Sequence, residues 1–152
     1  MQDESPSVSE LVGDIHPALQ WEVVDDFANK TLDDIRHQLD TVDCNWMLEG
    51  LGKMRGRGFQ YYFPVFAEYA KSERSEDDVL LPGSFAMAIE LQIMNRPEGA
   101  FRISSEIRRI ADYMIANIGK FGQDSEWAER SLKIYRSILC RLDKHEESTA
   151  VD

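Results

Sequence analysis

Apolar residues recur every three to four positions along most of the chain, the spacing of one face of an α-helix. In "HPALQWEVVDDFAN", Leu19, Val23 and Phe27 fall four apart, and Pro17 stands where a helix accepts its first residue. In "TLDDIRHQLD", Leu32, Ile35 and Leu39 form the stripe. Thr31 is placed to cap that helix, and Asp33 and Asp34 suit its positive end. Asp43 opens "DCNWMLEGL", which Gly50 and Gly52 are expected to end. Phe59, Tyr62, Phe63, Phe66 and Tyr69 carry the next helical stripe, which either begins near Phe63 or kinks at Pro64. "SERSEDD" reads as a solvated loop and "LPG" as a break. Ser84 then caps "FAMAIELQIM", apolar on nearly every side apart from Glu90 and Gln92, and so expected to be central and buried. "NRPEG" reads as a turn. Ser104 caps "SEIRRIADYMIANIGKF", whose stripe is Ile107, Ile110, Ala111, Met114 and Ile118 and whose end Gly119 and Gly122 mark. Asp124 starts a last helix with Trp127, Ile134, Ile138 and Leu142 on one face.

No alternating strand pattern and no internal repeat stands out. The pattern predicts an all-α, single-domain bundle of about six or seven short helices around a central apolar helix. Residues 1–10 are expected to be a flexible N-terminus, 11–143 the helical domain and 144–152 a flexible tail.

Composition supports a core, since 43% of the 152 residues are apolar. No apolar run approaches the roughly 18 residues of a membrane-spanning helix. The opening "MQDESPSVSE" lacks the positive head and apolar stretch of an export signal, so a cytoplasmic protein is expected. Cys44 and Cys140 then read as reduced, partly buried thiols.

Charge sharpens the picture. The chain carries a net −11, and residues 1–50 hold twelve acidic against two basic side chains, or −10. Residues 51–75 reverse this, with five basic against two acidic, or +3. Such a chain repels a phosphate backbone, so direct nucleic-acid binding is not expected.

The basic stretch "GLGKMRGRGFQYY" matches neither GxxxxGK[ST] nor GxGxxG, and no strand precedes it. It reads as a connector between helices. As an extended loop it would point Lys53, Arg55 and Arg57 to one side, near the free amides of a helix starting at about Gly58, with Tyr61 off the buried aromatic line. Those four residues are the candidate anion site, weighed against plain solvation. His37 lies a turn after Asp33 and Asp34, which reads as a surface ion pair rather than a metal site, and no metal or cofactor is expected. Cys44 sits at a helix start, but Asp40 and Asp43 oppose a lowered thiol pKa, and no catalytic set assembles.

Trp46, then "GFQYYFPVF", then "FRISSEIRRIADYM" resembles a group of small bacterial proteins of unknown function. In that group a Trp is followed by an aromatic-Tyr-Tyr-Leu/Phe-Pro segment opening a helix, and later by a Ser-capped amphipathic helix. The resemblance spans about residues 46–121 and is strongest at the Tyr-Tyr-Phe-Pro segment. It implies a helical fold and a bacterial, cytosolic origin, and attaches no activity, cofactor or catalytic residue.

The function expected from these features is a non-enzymatic protein-interaction module of the adaptor, immunity or regulatory kind. Its acidic first third, with Asp25, Asp26, Asp33, Asp34, Asp40 and Asp43, offers a face for a basic protein partner. The alternative is a protein or enzyme taking a small anionic ligand at residues 53–57. A monomer is slightly favoured over a homodimer, since one central helix of a bundle needs the apolar character of "FAMAIELQIM".

Overall fold

In this computed structural model the described residues are 4–150. Residues 1–3 and 151–152 of the two expected flexible ends, and the side chain of Leu19 in the first stripe, lie outside them. Among the described residues nine α-helices follow one another: α1 (Val8–Val12), α2 (Gln20–Phe27), α3 (Leu32–Gln38), α4 (Cys44–Lys53), α5 (Gly56–Lys71), α6 (Leu81–Asn95), α7 (Pro97–Arg102), α8 (Ser104–Ala116) and α9 (Ser125–Ala150). Three 3-10 turns, at Pro17–Leu19, Glu73–Ser75 and Ile118–Phe121, complete the helical content. No strand occurs among the described residues, and one continuous apolar core joins all the helices into an all-α, single-domain bundle.

The helix count exceeds the expected six or seven because α1, capped by Ser7, starts within the expected flexible N-terminus and α7 occupies the expected "NRPEG" turn, and several punctuating residues lie inside helices rather than at their ends. Gly50 and Gly52 do not end α4 but are buried within it, and a Cβ on Gly52 would come 3.0 Å from the Ala88 Cα of α6. Glycine costs a helix interior about 1 kcal/mol relative to alanine. Here its missing side chain lets α4 and α6 touch almost backbone to backbone. Pro97 opens α7 where a turn was expected, in the first-turn position that proline tolerates. Ser84 and Ser104 cap nothing: α6 begins at Leu81 with Pro82 in its first turn, and Ser104 is already helical. At the far end α9 runs on through Lys144 to Ala150, so the described part of the expected tail is helix. Arg108 of α8 holds it through Asp143 (2.8 Å) and Glu146 (3.0 Å), and His145 stacks on Phe101 at 3.8 Å.

Helix α6 is central, touching α4, α5, α7, α8 and α9. Its inner face buries Leu81, Phe85, Ala88, Ile89 and Ile93. Its outer face corrects the expectation of full burial: Met87 is 58% and Met94 60% exposed. Helix α5 delivers the aromatic core, with Phe59, Tyr62, Phe63 and Phe66 buried while Pro64 faces solvent inside the helix. Phe63 meets Phe85 of α6 edge-on at 5.5 Å, and Tyr62 meets Phe27 of α2 at 4.9 Å.

A helix leaves its last four carbonyls without partners. Few helices here end in a left-handed residue, and side chains from distant helices supply the donors instead. The Tyr62 hydroxyl lies 2.8 Å from the Phe27 carbonyl and 2.6 Å from that of Lys30, closing α2. The amide of Gln92, buried in α6, donates to the carbonyls of Leu51, Gly52 and Met54 at 3.0, 3.1 and 2.7 Å, closing α4. Lys120 Nζ reaches the carbonyls of Ala70 (2.9 Å) and Ser72 (2.8 Å) at the end of α5. Arg74 does the same for Leu39 after α3, at 3.0 Å.

Candidate functional site

The six aspartates of the acidic third take different parts. Asp34 completes a capping box on α3, accepting from the Thr31 backbone N–H at 2.8 Å while Thr31 Oγ1 accepts from the Asp34 N–H at 3.2 Å. Those bonds from the Thr31 backbone and hydroxyl hold the Asp34 carboxyl below the usual aspartate range. Asp43 caps α4 through the Asn45 N–H at 2.9 Å. Asp33 pairs with Arg36 at 2.6 Å, and Arg36 also holds Glu68 of α5 at 2.9 Å. Asp40 pairs with Arg74 at 2.7 Å. Asp26 is half-buried in α2, and its carbonyl accepts from Gln38 at 3.2 Å. Asp25 is exposed, with no charged partner for its carboxylate among the described residues. Most of the acidic set therefore builds helix ends and crosslinks while staying exposed, and Asp25 is the exposed member with no cap or ion pair among the described residues.

Beside Asp25 lies a feature that spacing along the chain does not show. Trp21 of α2 and Trp46 of α4 bring their rings to 5.7 Å, tilted by 43°, yet remain 48% and 45% exposed. Asp25 lies one turn beyond Trp21, and Asp43 and Glu49 lie one turn to either side of Trp46. The result is an indole pair on the surface with carboxylates on the same helix faces. Trp46 marks the resemblance to the bacterial group, but its neighbour Trp21 could be paired with it only through the crossing of α2 and α4.

The basic residues are redistributed too. Lys53, Arg55 and Arg57 form no extended loop: Lys53 ends α4, Arg55 is the residue before α5, and Arg57 lies in the first turn of α5. Tyr61 is half-buried edge-on against Tyr62 at 4.8 Å, one helical turn beyond Arg57 on α5. Arg55 and Arg57 instead meet Arg102 of α7 in a cleft of about 370 Å³, whose floor is Gly56 and Gly99. Those glycines let α5 and α7 cross closely, since a Cβ on Gly99 would come 2.8 Å from the Gly56 Cα. Arg57 is paired with Glu10, and Arg96 on the next wall with Asp14 at 2.9 Å. Arg102 was absent from the sequence reading because "NRPEG" looked like a turn rather than the start of a helix aimed back at α5.

The two thiols diverge. Cys44 is buried, and desolvation, followed by the nearby charges of Asp78 and Asp43, pushes its pKa far up. Cys140 is exposed on α9, not partly buried as expected. Among the described residues no group of three or more His, Cys, Asp and Glu side chains could hold a metal ion, and no helix is long and apolar enough to cross a membrane. Compared with protein-family models, curated proteins and solved structures, the chain matches none.

Proposed function

We propose that the protein is a non-enzymatic interaction module that docks a basic segment of a partner protein on its α2–α4 face. The observation that carries this reading is the half-exposed Trp21–Trp46 pair with Asp25, Asp43 and Glu49 a turn away. An indole face attracts guanidinium and ammonium groups, by about 0.5–1 kcal/mol when exposed and about 2 kcal/mol when desolvated. Tryptophan is also among the side chains that dominate interface energies. The excess of −10 in the first fifty residues steers a cation toward that face.

An arginine-rich peptide titrated into the full chain tests it. The tryptophan emission should change, the change should weaken with added salt, and Trp46→Ala should cost about tenfold or more in affinity. Because Trp46 is half-exposed, that variant should fold normally. Equal binding by Trp46→Ala and wild type would sink the reading. Asp25→Lys is the matching charge reversal, whereas reversing Asp34 would break half of the α3 capping box and reversing Asp43 would uncap α4.

The arginine cleft supports a second reading, the binding of a small anion. Arg55, Arg57 and Arg102 converge on the start of α5, where Arg55 supplies no side-chain cap for the helix amides. Glu10 and Glu98 line the same cleft and compete for those cations. Phosphate or citrate at about 100 times its Kd would stabilise the fold by about 2.7 kcal/mol. A melting temperature unmoved by either anion removes this reading.

A further inference from the structure

We propose that the hollow between the start of α6 and the first turns of α9 binds a small neutral aromatic molecule that carries a hydroxyl, of the size of a methylphenol. Trp127, Ser131 and Ile134 follow one another at spacings of four and three, so they share one face of α9. That face lines a hollow of about 200 Å³, completed by Leu80, Gly83 and Gln123. Nothing lies within 4 Å of the point where a Cβ on Gly83 would sit, so the missing side chain leaves that wall open. Two hydrogen bonds hold the walls in place. Gln123 Nε2 donates to the Val79 carbonyl at 2.8 Å, and the Tyr135 hydroxyl donates to that of Pro82 at 2.6 Å. A site fixed in this way spares its ligand the cost of ordering it.

The polar atoms on the lining define what enters. Ser131 is only 4% exposed, and its hydroxyl has no hydrogen-bond partner among the described residues. Gln123 Oε1 is likewise buried without a partner, its amide nitrogen being committed to Val79. Buried polar groups are ordinarily paired, so two orphans on one small hollow mark the place of a missing partner. A hydroxyl answers both, accepting from Ser131 Oγ and donating to Gln123 Oε1. A carboxylate would set its lone pairs against Gln123 Oε1. Arg130, the cation on the lining, already pairs with Glu126 at 2.8 Å. The remaining lining is apolar and suits a ring. Leu80 and Trp127 are each 46% exposed, apolar surface that a bound ring would cover. About 150 Å³ is enough for benzene in an apolar cavity, so this hollow takes one ring with small substituents. The site is separate from the Trp21–Trp46 pair and from the arginine cleft, and rests on neither.

Calorimetric titration of 4-methylphenol into the full chain tests this. Saturable binding is expected, about tenfold tighter than that of toluene, which is the same ring without the hydroxyl. Ser131→Ala should remove most of that preference while leaving toluene binding unchanged. Gly83→Leu should fill the hollow and abolish binding of both compounds. Circular dichroism checks that each variant is folded, and should Gly83→Leu fail to fold, Ser131→Ala and the toluene comparison still decide. Absence of saturable 4-methylphenol binding by the wild type overturns the proposal. Equal affinity for toluene, or a preference that survives Ser131→Ala, overturns the hydroxyl contact on which the ligand class rests. Undiminished binding by folded Gly83→Leu overturns it too, by placing the ligand elsewhere.

Discussion

Gln92 is the one polar side chain on the inner face of α6 that is fully buried, and its amide holds three carbonyls of another helix. Gln92→Leu would fill the same space while leaving those carbonyls buried without a donor, at about 1–3 kcal/mol. Urea unfolding should report that loss, and an unchanged midpoint would show that the carbonyls find other partners. The thiols give a second outcome. The buried, high-pKa Cys44 should resist a maleimide in the folded protein while exposed Cys140 reacts, and mass spectrometry of the digested adduct distinguishes them. The sequence showed that Gln92 was an exception in an apolar helix and that charge opposed an activated Cys44. It could not show which carbonyls lay opposite Gln92, because they belong to a helix some forty positions upstream.

Among the helices, legibility followed whether a start signal stood alone. Thr31 and Asp124 were read correctly, and Asp124 Oδ1 does accept from the Trp127 N–H at 2.9 Å. Ser84 and Ser104 misled because a serine within the first turn resembles a cap, while proline just upstream had already opened the helix in the case of Ser84. Gly50 and Gly52 misled because a glycine for close approach carries the same letter as a glycine for termination. The α3 capping box has a consequence with pH. The carboxyl of Asp34 is depressed on folding, so its contribution is complete above the unfolded value of about 3.9 and is lost as pH falls through the lower folded value. Asp34→Asn should therefore be less stable than wild type near neutrality, with the gap closing in acid. Denaturation midpoints across that range test it, and a gap independent of pH would mean that the carboxylate's charge contributes nothing.

At the scale of the whole molecule, the periodicity was enough for fold class, and the charge count enough to place the acidic third. The functional faces were not legible, because each is made where two helices cross: α2 with α4 for the indoles, α5 with α7 for the arginines. The unpartnered side of α6 was hidden for a related reason, since apolar residues on every side of a helix look the same whether a neighbour or water meets them. The borrowed helix ends carry their own consequence. Lys120, beyond α8, secures the end of α5, and Tyr62 in α5 secures the end of α2. Shortening the chain after Ala116 would thus open the last turn of α5 to water although every residue of α5 remained.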